Sequence, residues 1–417
     1  MEQNLPWNFS VNLIDISFIT LGMSLISRET IMPLLVSQMT DSKIAIGLIP
    51  AIYSLGFYLP QLLMANYTER LKRKKPFVML LGGLGERAPY LIIGLVISAL
   101  ALGAPTLTLL LFFLLLATTA FTNGMATPAW FTLIGKVLPV NRRGIFFGIS
   151  GGLGALMGIG GAYFVGKILD NQAYPSNFAI LFAIAFLFMA ISWVGLALNR
   201  EPESPVVKQP VSLTSYLKQL PTVLRHHPNY RRFLLSYSTS KLGAMAIGFF
   251  LVYGNSSFNL TGAQVGLLTG VLVAGQAVMN LIWGWVGDRS GHKVVLIGSA
   301  FAMTLATLIA WQASSITALI ATFALVGAAI AGDDVSKFNI ILEFTTPEEH
   351  PTFIGLTNTL LAPVVTLAPI LGGWLATTWL GYQGMFVVAM TISALGGLLL
   401  AMWVQEPRHI RPQIIKV

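Results

Sequence analysis

The chain has 417 residues, 55% of them hydrophobic and 10% charged, with a mean hydropathy of +0.74. Soluble domains carry roughly a quarter charged residues, so this composition excludes an ordinary globular protein and describes a polytopic membrane protein. The absence of cysteine excludes disulfides and thiolate metal or redox centres, and the net charge of +9 has to be judged by where the basic residues fall.

Twelve apolar segments follow in chain order, at 12–38, 44–66, 77–101, 106–135, 145–168, 177–199, 233–254, 263–286, 293–312, 315–345, 353–379 and 384–404. At about 1.5 Å rise per residue each can cross a hydrocarbon core near ~30 Å. Met1 to Ser10 is polar, lacks a basic region and leads into a full-length span, which predicts no cleaved leader. Span one carries Asp15, Arg28 and Glu29, with Asp15, Gly22 and Glu29 expected on one helical face. After span two, Ala65 to Lys74 holds Glu69, Arg70, Lys72 and Arg73 in a short charged turn. Span three contains the packing run Gly82 to Gly85 and then Glu86-Arg87, and span five is dense in glycine from Gly148 to Gly161. Residues 200–232 form a polar linker between a first half, 1–199, and a second, 233–417. Within the linker, Leu213, Tyr216, Leu217 and Leu220 suit an amphipathic segment lying along the membrane face. Span seven carries Lys241, whose partner must come from another helix, Asp15 or an acid of span ten. A second charged turn, Gly284 to Lys293, contains Asp288, Arg289 and Gly291, and span ten carries Asp333, Asp334, Lys337 and Glu343.

Of the 25 Lys and Arg residues, 19 fall in alternate loops and the tail, two (Lys43 and Lys167) in the loops between, and four within spans. That asymmetry predicts both termini inside, and it accounts for the basic balance without nucleic acid. The halves also repeat. Gly47 and Gly56 match Gly266 and Gly275, Leu21-Gly22 matches Leu242-Gly243, Gly124 and Trp130 match Gly332 and Phe338, and Glu201-Pro202 matches Glu406-Pro407.

The two charged turns, the six-plus-six layout and the long central linker resemble the major facilitator superfamily, whose turn follows Gly-x-x-x-Asp-Arg-x-Gly-Arg-Lys. Gly284, Asp288, Arg289, Gly291 and Lys293 fit it, with His292 in an Arg position; the first copy departs at Ala65, Glu69 and Lys72. The resemblance implies an all-α membrane fold of two pseudo-symmetric six-helix halves. It also implies that Glu69, Arg70 and Arg73 act with the second turn as a cytoplasmic gate holding the outward-open arrangement. The family's drug antiporters often carry Gly-Pro-x-x-Gly-Gly in span five; here Leu156-Met157 precedes Gly160-Gly161 without proline, and Ala368-Pro369 with Gly372-Gly373 stands in span eleven.

Each intramembrane charge costs at least roughly 2.5–3.5 kcal/mol near a helix centre, so each is expected to face protein or water and to have a partner. Asp333 and Asp334 both reach Lys337 at helical spacing, which leaves a surplus carboxylate. One of those acids is the first candidate for proton coupling or cation binding, with a structural ion-pair cluster as the alternative. Asp15, Arg28, Glu29, Glu86, Arg87 and Lys241 complete the candidate cavity, and Tyr53, Trp130 and Phe338 are either pocket aromatics or packing. There is no phosphate-binding Gly-x-x-x-x-Gly-Lys-Ser/Thr loop, so neither ATP nor an enzymatic role is expected. None of the five histidines falls inside a predicted span, so no metal site is expected.

The expectation is a monomeric, cofactor-free transporter of the inner membrane that moves a small molecule by alternating access with H+ or Na+ as coupling ion. An exporter of amphipathic compounds is the leading form and a symporter for a polar nutrient the alternative; a non-transporting sensor or lipid-handling protein stands further off.

Overall fold

The computed structural model describes residues 4–203, 224–345 and 350–410, so Leu213, Tyr216, Leu217 and Leu220 lie outside the described residues. Among the described residues, twelve helices are long and apolar enough to cross a membrane. They are α1 Leu5–Leu25, α2 Lys43–Gln61, α3 Lys75–Leu100, α4 Pro105–Val137, α5 Arg142–Asn171, α6 Ser176–Ala197, α7 Pro228–Phe258, α8 Gly262–Ser290, α9 His292–Trp311, α10 Ile316–Phe344, α11 Phe353–Thr377 and α12 Gly381–Trp403. No strand occurs among the described residues. That is the expected answer to a hydrocarbon solvent, where a backbone must satisfy its hydrogen bonds within its own segment.

Four spans depart from a continuous α-helix, and each does so beside charged residues. The first span stops as a helix at Leu25, turns through Arg28 and Glu29, and resumes at Ile31–Met39. Glu29 therefore does not share a helical face with Asp15 and Gly22, because helical phase is lost between Ile26 and Thr30. In α3 a π-helical stretch, Met79–Gly85, runs into a turn at Glu86 and Arg87. The Trp193 ring fills the space a side chain at Gly83 would need, and its indole donates to the Met79 carbonyl at 3.1 Å. Just after Lys241, α7 tightens to a 3-10 helix over Ala244–Phe249. In α10 the helix turns at Lys337 and Phe338. Irregular backbone at membrane depth is tolerated where it lines a watered cavity, and discontinuous spans commonly build transport sites.

The apolar cores show how the halves meet. One core joins both, running through Leu25, Ile49 and Phe182 into Phe249, Leu268 and Phe386. A second belongs only to the first half (Val78, Leu133, Phe146, Leu196) and a third only to the second (Tyr230, Phe233, Ile341, Phe353). The halves are thus fused at the end away from the charged turns, here the far end, and separate at the basic end that carries them. At the far end α2 packs on α11 and α5 on α8, glycine against backbone. A side chain at Gly373 would lie 2.6 Å from the Lys43 carbonyl oxygen, and one at Gly266 would lie 2.5 Å from that of Ala162. Toward the basic end of α5, nothing lies within 4 Å of where side chains at Gly144, Gly148, Gly151 and Gly152 would begin.

The internal repeat is visible in these contacts. Gly47 and Gly266 hold the two far-end seams, while Gly56 packs on Ala120 of α4 and Gly275 on Ala324 of α10. One correspondence is corrected. Gly124 faces the backbone of Gly56 and Phe57, and the residue that meets α8 in the same way is Gly327, not Gly332. In that register Trp130 falls opposite Asp333 rather than Phe338.

Candidate transport site

A polar network is built into the first half. The Arg87 guanidinium, at the break in α3, donates to Asp15 at 3.1 Å, to Ser192 of α6 at 3.0 Å, to Glu86 at 3.3 Å and to the Gly82 carbonyl. That carbonyl sits in the π-helical stretch, so the broken helix supplies the acceptor. Ser192 donates to Asp15 at 2.6 Å, the Trp130 indole approaches Asp15 at 3.4 Å, and Asn123 donates to Glu86. Asp15 and Arg87 are 3% and 4% exposed, which makes this a buried ion pair whose mutual attraction offsets the cost of taking both charges out of water only in part. The network forms one wall of a cavity of about 430 Å³, with Tyr53, Phe57, Trp130, Phe131 and Phe147 on the apolar side and Asn123 and Thr127 between. Two carboxylates share one guanidinium here.

In the second half Lys241 meets Asp333 at 2.5 Å, and Tyr237 donates to the same carboxylate. Lys337 pairs with Asp334 at 3.4 Å. This overturns the surplus carboxylate expected on span ten: each acid has its own lysine, because α7 delivers Lys241 to Asp333. The Asp334 side chain is 58% exposed at the middle of the protein, so it faces open space rather than a packed helix. From the first half Arg28 stacks on Tyr53 at 3.8 Å, lies 4.0 Å from Glu29, and is within electrostatic reach of Asp334. Tyr58 of α2 is likewise within reach of Asp333, Asp334 and Lys337. Across the interior, Asp15, Glu29, Glu86, Asp333 and Asp334 face Arg28, Arg87, Lys241 and Lys337. The uncompensated negative charge falls on Asp15 and Glu86.

Of the candidate aromatics, Tyr53 and Trp130 line the cavity. Phe338 instead packs against the basic-end core of the second half. Asn123, Thr127, Ser192 and Tyr237 were not singled out from the sequence. Asn123, Thr127 and Trp130 do form a stripe at helical spacing on α4, whereas Ser192 and Tyr237 carry no signal of their own.

The charged turns are tied to their own halves in this state. The Glu69 side chain lies outside the described residues, Arg70 is exposed, and Arg73 makes an exposed pair with Glu203 at 3.1 Å. The first turn is held by Glu201, which accepts from the amides of Lys74 at 2.7 Å and Lys75 at 2.8 Å and from Lys136 at 2.7 Å. In the second turn Gly291 has φ +91°, which favours glycine, and the Glu406 carboxylate lies over it. Asp288 is exposed, Arg289 stacks on Trp285 at 4.4 Å, Lys293 donates to the Ala401 carbonyl at 3.0 Å, and Gly284 has open space beside it. Arg408 donates to the Gly287 and Asp288 carbonyls at 2.8 and 2.9 Å and to Glu343 at 2.6 Å. His292, expected outside the hydrocarbon region, opens α9, is buried and lies 3.1 Å from the Ser336 hydroxyl.

Twelve spans in two bundles, joined at one end and parted at the other around a charged and aromatic interior, define a membrane transporter. The Major Facilitator Superfamily model matches residues 17–254 and again 233–416. The chain belongs to that superfamily and is a multi-pass inner-membrane protein. It is similar to "Multidrug resistance protein MdtL" of Salmonella typhi, with 28% identity over 156 residues, 37% of this chain and 39% of that protein. It is similar also to "Multidrug resistance protein D" of Escherichia coli (strain K12), with 29% identity over 155 residues, 36% of this chain and 38% of that protein. Each match thus spans well under half of the relative. Among solved structures, a bacterial homolog of the human lysosomal transporter Spinster, inward-facing and unoccupied, superposes with a TM-score of 0.70 at 12% identity over 98% of both chains. A D-xylose-proton symporter superposes with a TM-score of 0.70 at 12% identity over 97% of this chain and 99% of that one. At such identities these structures share the fold alone.

Proposed function

We propose that this transporter works by alternating access as a proton-coupled exporter of small amphipathic compounds, with Asp15, Arg87 and Glu86 as the coupling set. The observation that carries this reading is a single guanidinium between the buried Asp15 carboxylate and the partly buried Glu86 carboxylate, on the wall of an aromatic-lined cavity of about 430 Å³. A proton on one carboxylate balances the set. A cationic, partly apolar cargo balances it equally, so the two compete for one negative charge and exchange follows. Multidrug resistance proteins among the relatives support the direction. The charged turns then serve as a gate of the other state, in which the basic ends meet, and the excess of basic residues at that end supports a cytoplasmic placement.

The test is transport in proteoliposomes with an imposed pH gradient and a panel of lipophilic cations. Glu86→Gln is expected to abolish gradient-driven accumulation while downhill exchange continues, and Asp333→Asn to leave the pH dependence in place. Gradient-driven accumulation by Glu86→Gln at the wild-type level removes the coupling role. The second reading, a symporter for a polar solute, is favoured by the matched pairs Lys241–Asp333 and Lys337–Asp334 facing the interior. It predicts uptake of uncharged or zwitterionic solutes down the same gradient.

A further inference from the structure

The far-end seams are closed by two charged side chains of the first half, each seated on a helix end of the second half. At the end of α5 both oxygens of Asp170 accept backbone N–H groups of α8, from Gly262 at 2.6 Å and Ala263 at 2.8 Å. These are the first amides of the helix, which have no acceptor within it. Thr261 takes the third, from Gln264 at 3.2 Å, and Gln264 returns a bond to the Thr261 amide at 2.9 Å. The start of α8 is therefore completed by an acid from the other half, at the end where a helix favours negative charge. On the opposite seam the Lys43 ammonium, at the start of α2, donates to the Ala376 carbonyl in the last turn of α11 at 2.6 Å and lies 4.4 Å from the Tyr382 ring centre. There a helix end favours positive charge. The internal repeat relates α5 to α11 and α2 to α8, so the ties stand at equivalent seams and carry opposite signs. The other end of α8 is capped by Arg408 from its own half, and that tie can survive a movement of the halves. The ties of Asp170 and Lys43 cannot.

We infer that Asp170 and Lys43 are positioning residues for the transport cycle: paired far-end latches that must release each time the far end opens and that set the balance between the two states. The inference rests on alternation between states and not on the cargo. The chain has no cysteine, so spin labels can be placed at Gln172→Cys and Ser257→Cys, exposed positions on either side of the α5–α8 seam. Distances between them, measured by double electron–electron resonance in lipid nanodiscs, read the far-end opening directly and need no ligand.

The ratio of the long-distance to the short-distance population is expected to rise roughly two- to fivefold in Asp170→Asn. It is expected to rise further in Asp170→Lys, where like charge meets the helix start, and to stay near wild type in Asp170→Glu. Lys43→Ala is expected to give a rise of its own that multiplies with that of Asp170→Asn. This ordering by charge is what a merely structural loss does not produce. Equal populations in wild type, Asp170→Lys and the double variant overturn the latch, as does an equal rise for Glu, Asn and Lys. A single, unmoving population in every variant and at every pH sinks the alternation itself.

Discussion

Arg87 is the residue on which the first half's interior is organised, with its side chain 5% exposed and its Nη1 and Nη2 donating to two acids, a hydroxyl and a freed carbonyl. Removing one partner of such a pair leaves buried charge uncompensated, so Arg87→Ala is expected to cost about 3–5 kcal/mol of stability. Lys337→Ala faces a half-open space with an exposed partner and is expected to cost less than about 1 kcal/mol. Denaturant unfolding of the two purified variants compares them, and similar losses remove the distinction. The charged positions themselves are readable in the sequence, because a hydropathy pattern makes every intramembrane charge conspicuous. Their pairing is not readable in the same way. Helical spacing ties Lys337 to both span-ten acids, and only the approach of α7 shows that Lys241 takes Asp333. The shift of the uncompensated charge to Asp15 and Glu86 depends on that one contact.

At the scale of elements, α5 uses half of its glycine face. Gly161 and Gly166 pack tightly in this state, Gly158 meets Val273, and the glycines from Gly144 to Gly152 touch nothing. An unused glycine face is what a helix needs for closing against α8 in the other state. Gly151→Leu is therefore expected to leave thermal stability within about 0.5 kcal/mol of wild type, as a substitution away from any packed feature does, and to abolish transport. Gly266→Leu is expected to do the reverse at the far end, displacing α5 and destabilising the closed seam. Melting temperature and transport rate, measured together, separate these outcomes. Normal transport by Gly151→Leu shows that this face never closes. The twelve spans follow from composition alone because long apolar runs have few other solutions in lipid. The breaks escape such a reading, since a π-helical stretch or a turn at Arg28 changes no side-chain hydropathy. The misplaced match of Gly124 has the same origin: without the contact to α2, glycines along α10 are interchangeable.

For the whole molecule, one shared core and two separate ones describe a protein open at its basic end. Thr127, on the cavity wall, is expected to be reachable from that end only. Thr127→Cys in a background without other cysteines is expected to react with an impermeant maleimide in inside-out vesicles and, in right-side-out vesicles, to be protected. The opposite pattern inverts the orientation drawn from the basic loops. The far-end seams also have a consequence for the lipid around the protein. Besides the ties of Asp170 and Lys43 they are glycine-on-backbone contacts, made where lipid tails are as apolar as the helices and supply no hydrophobic drive, so packing and lipid entropy contribute to how often they form. A body joined at one end and parted at the other occupies unequal areas in the two leaflets, and each turnover moves area from one leaflet to the other. The cycle is thereby coupled to membrane curvature stress: lipids that crowd the leaflet at the basic end favour closing there, and the resting balance between states becomes a property of the membrane as much as of the chain.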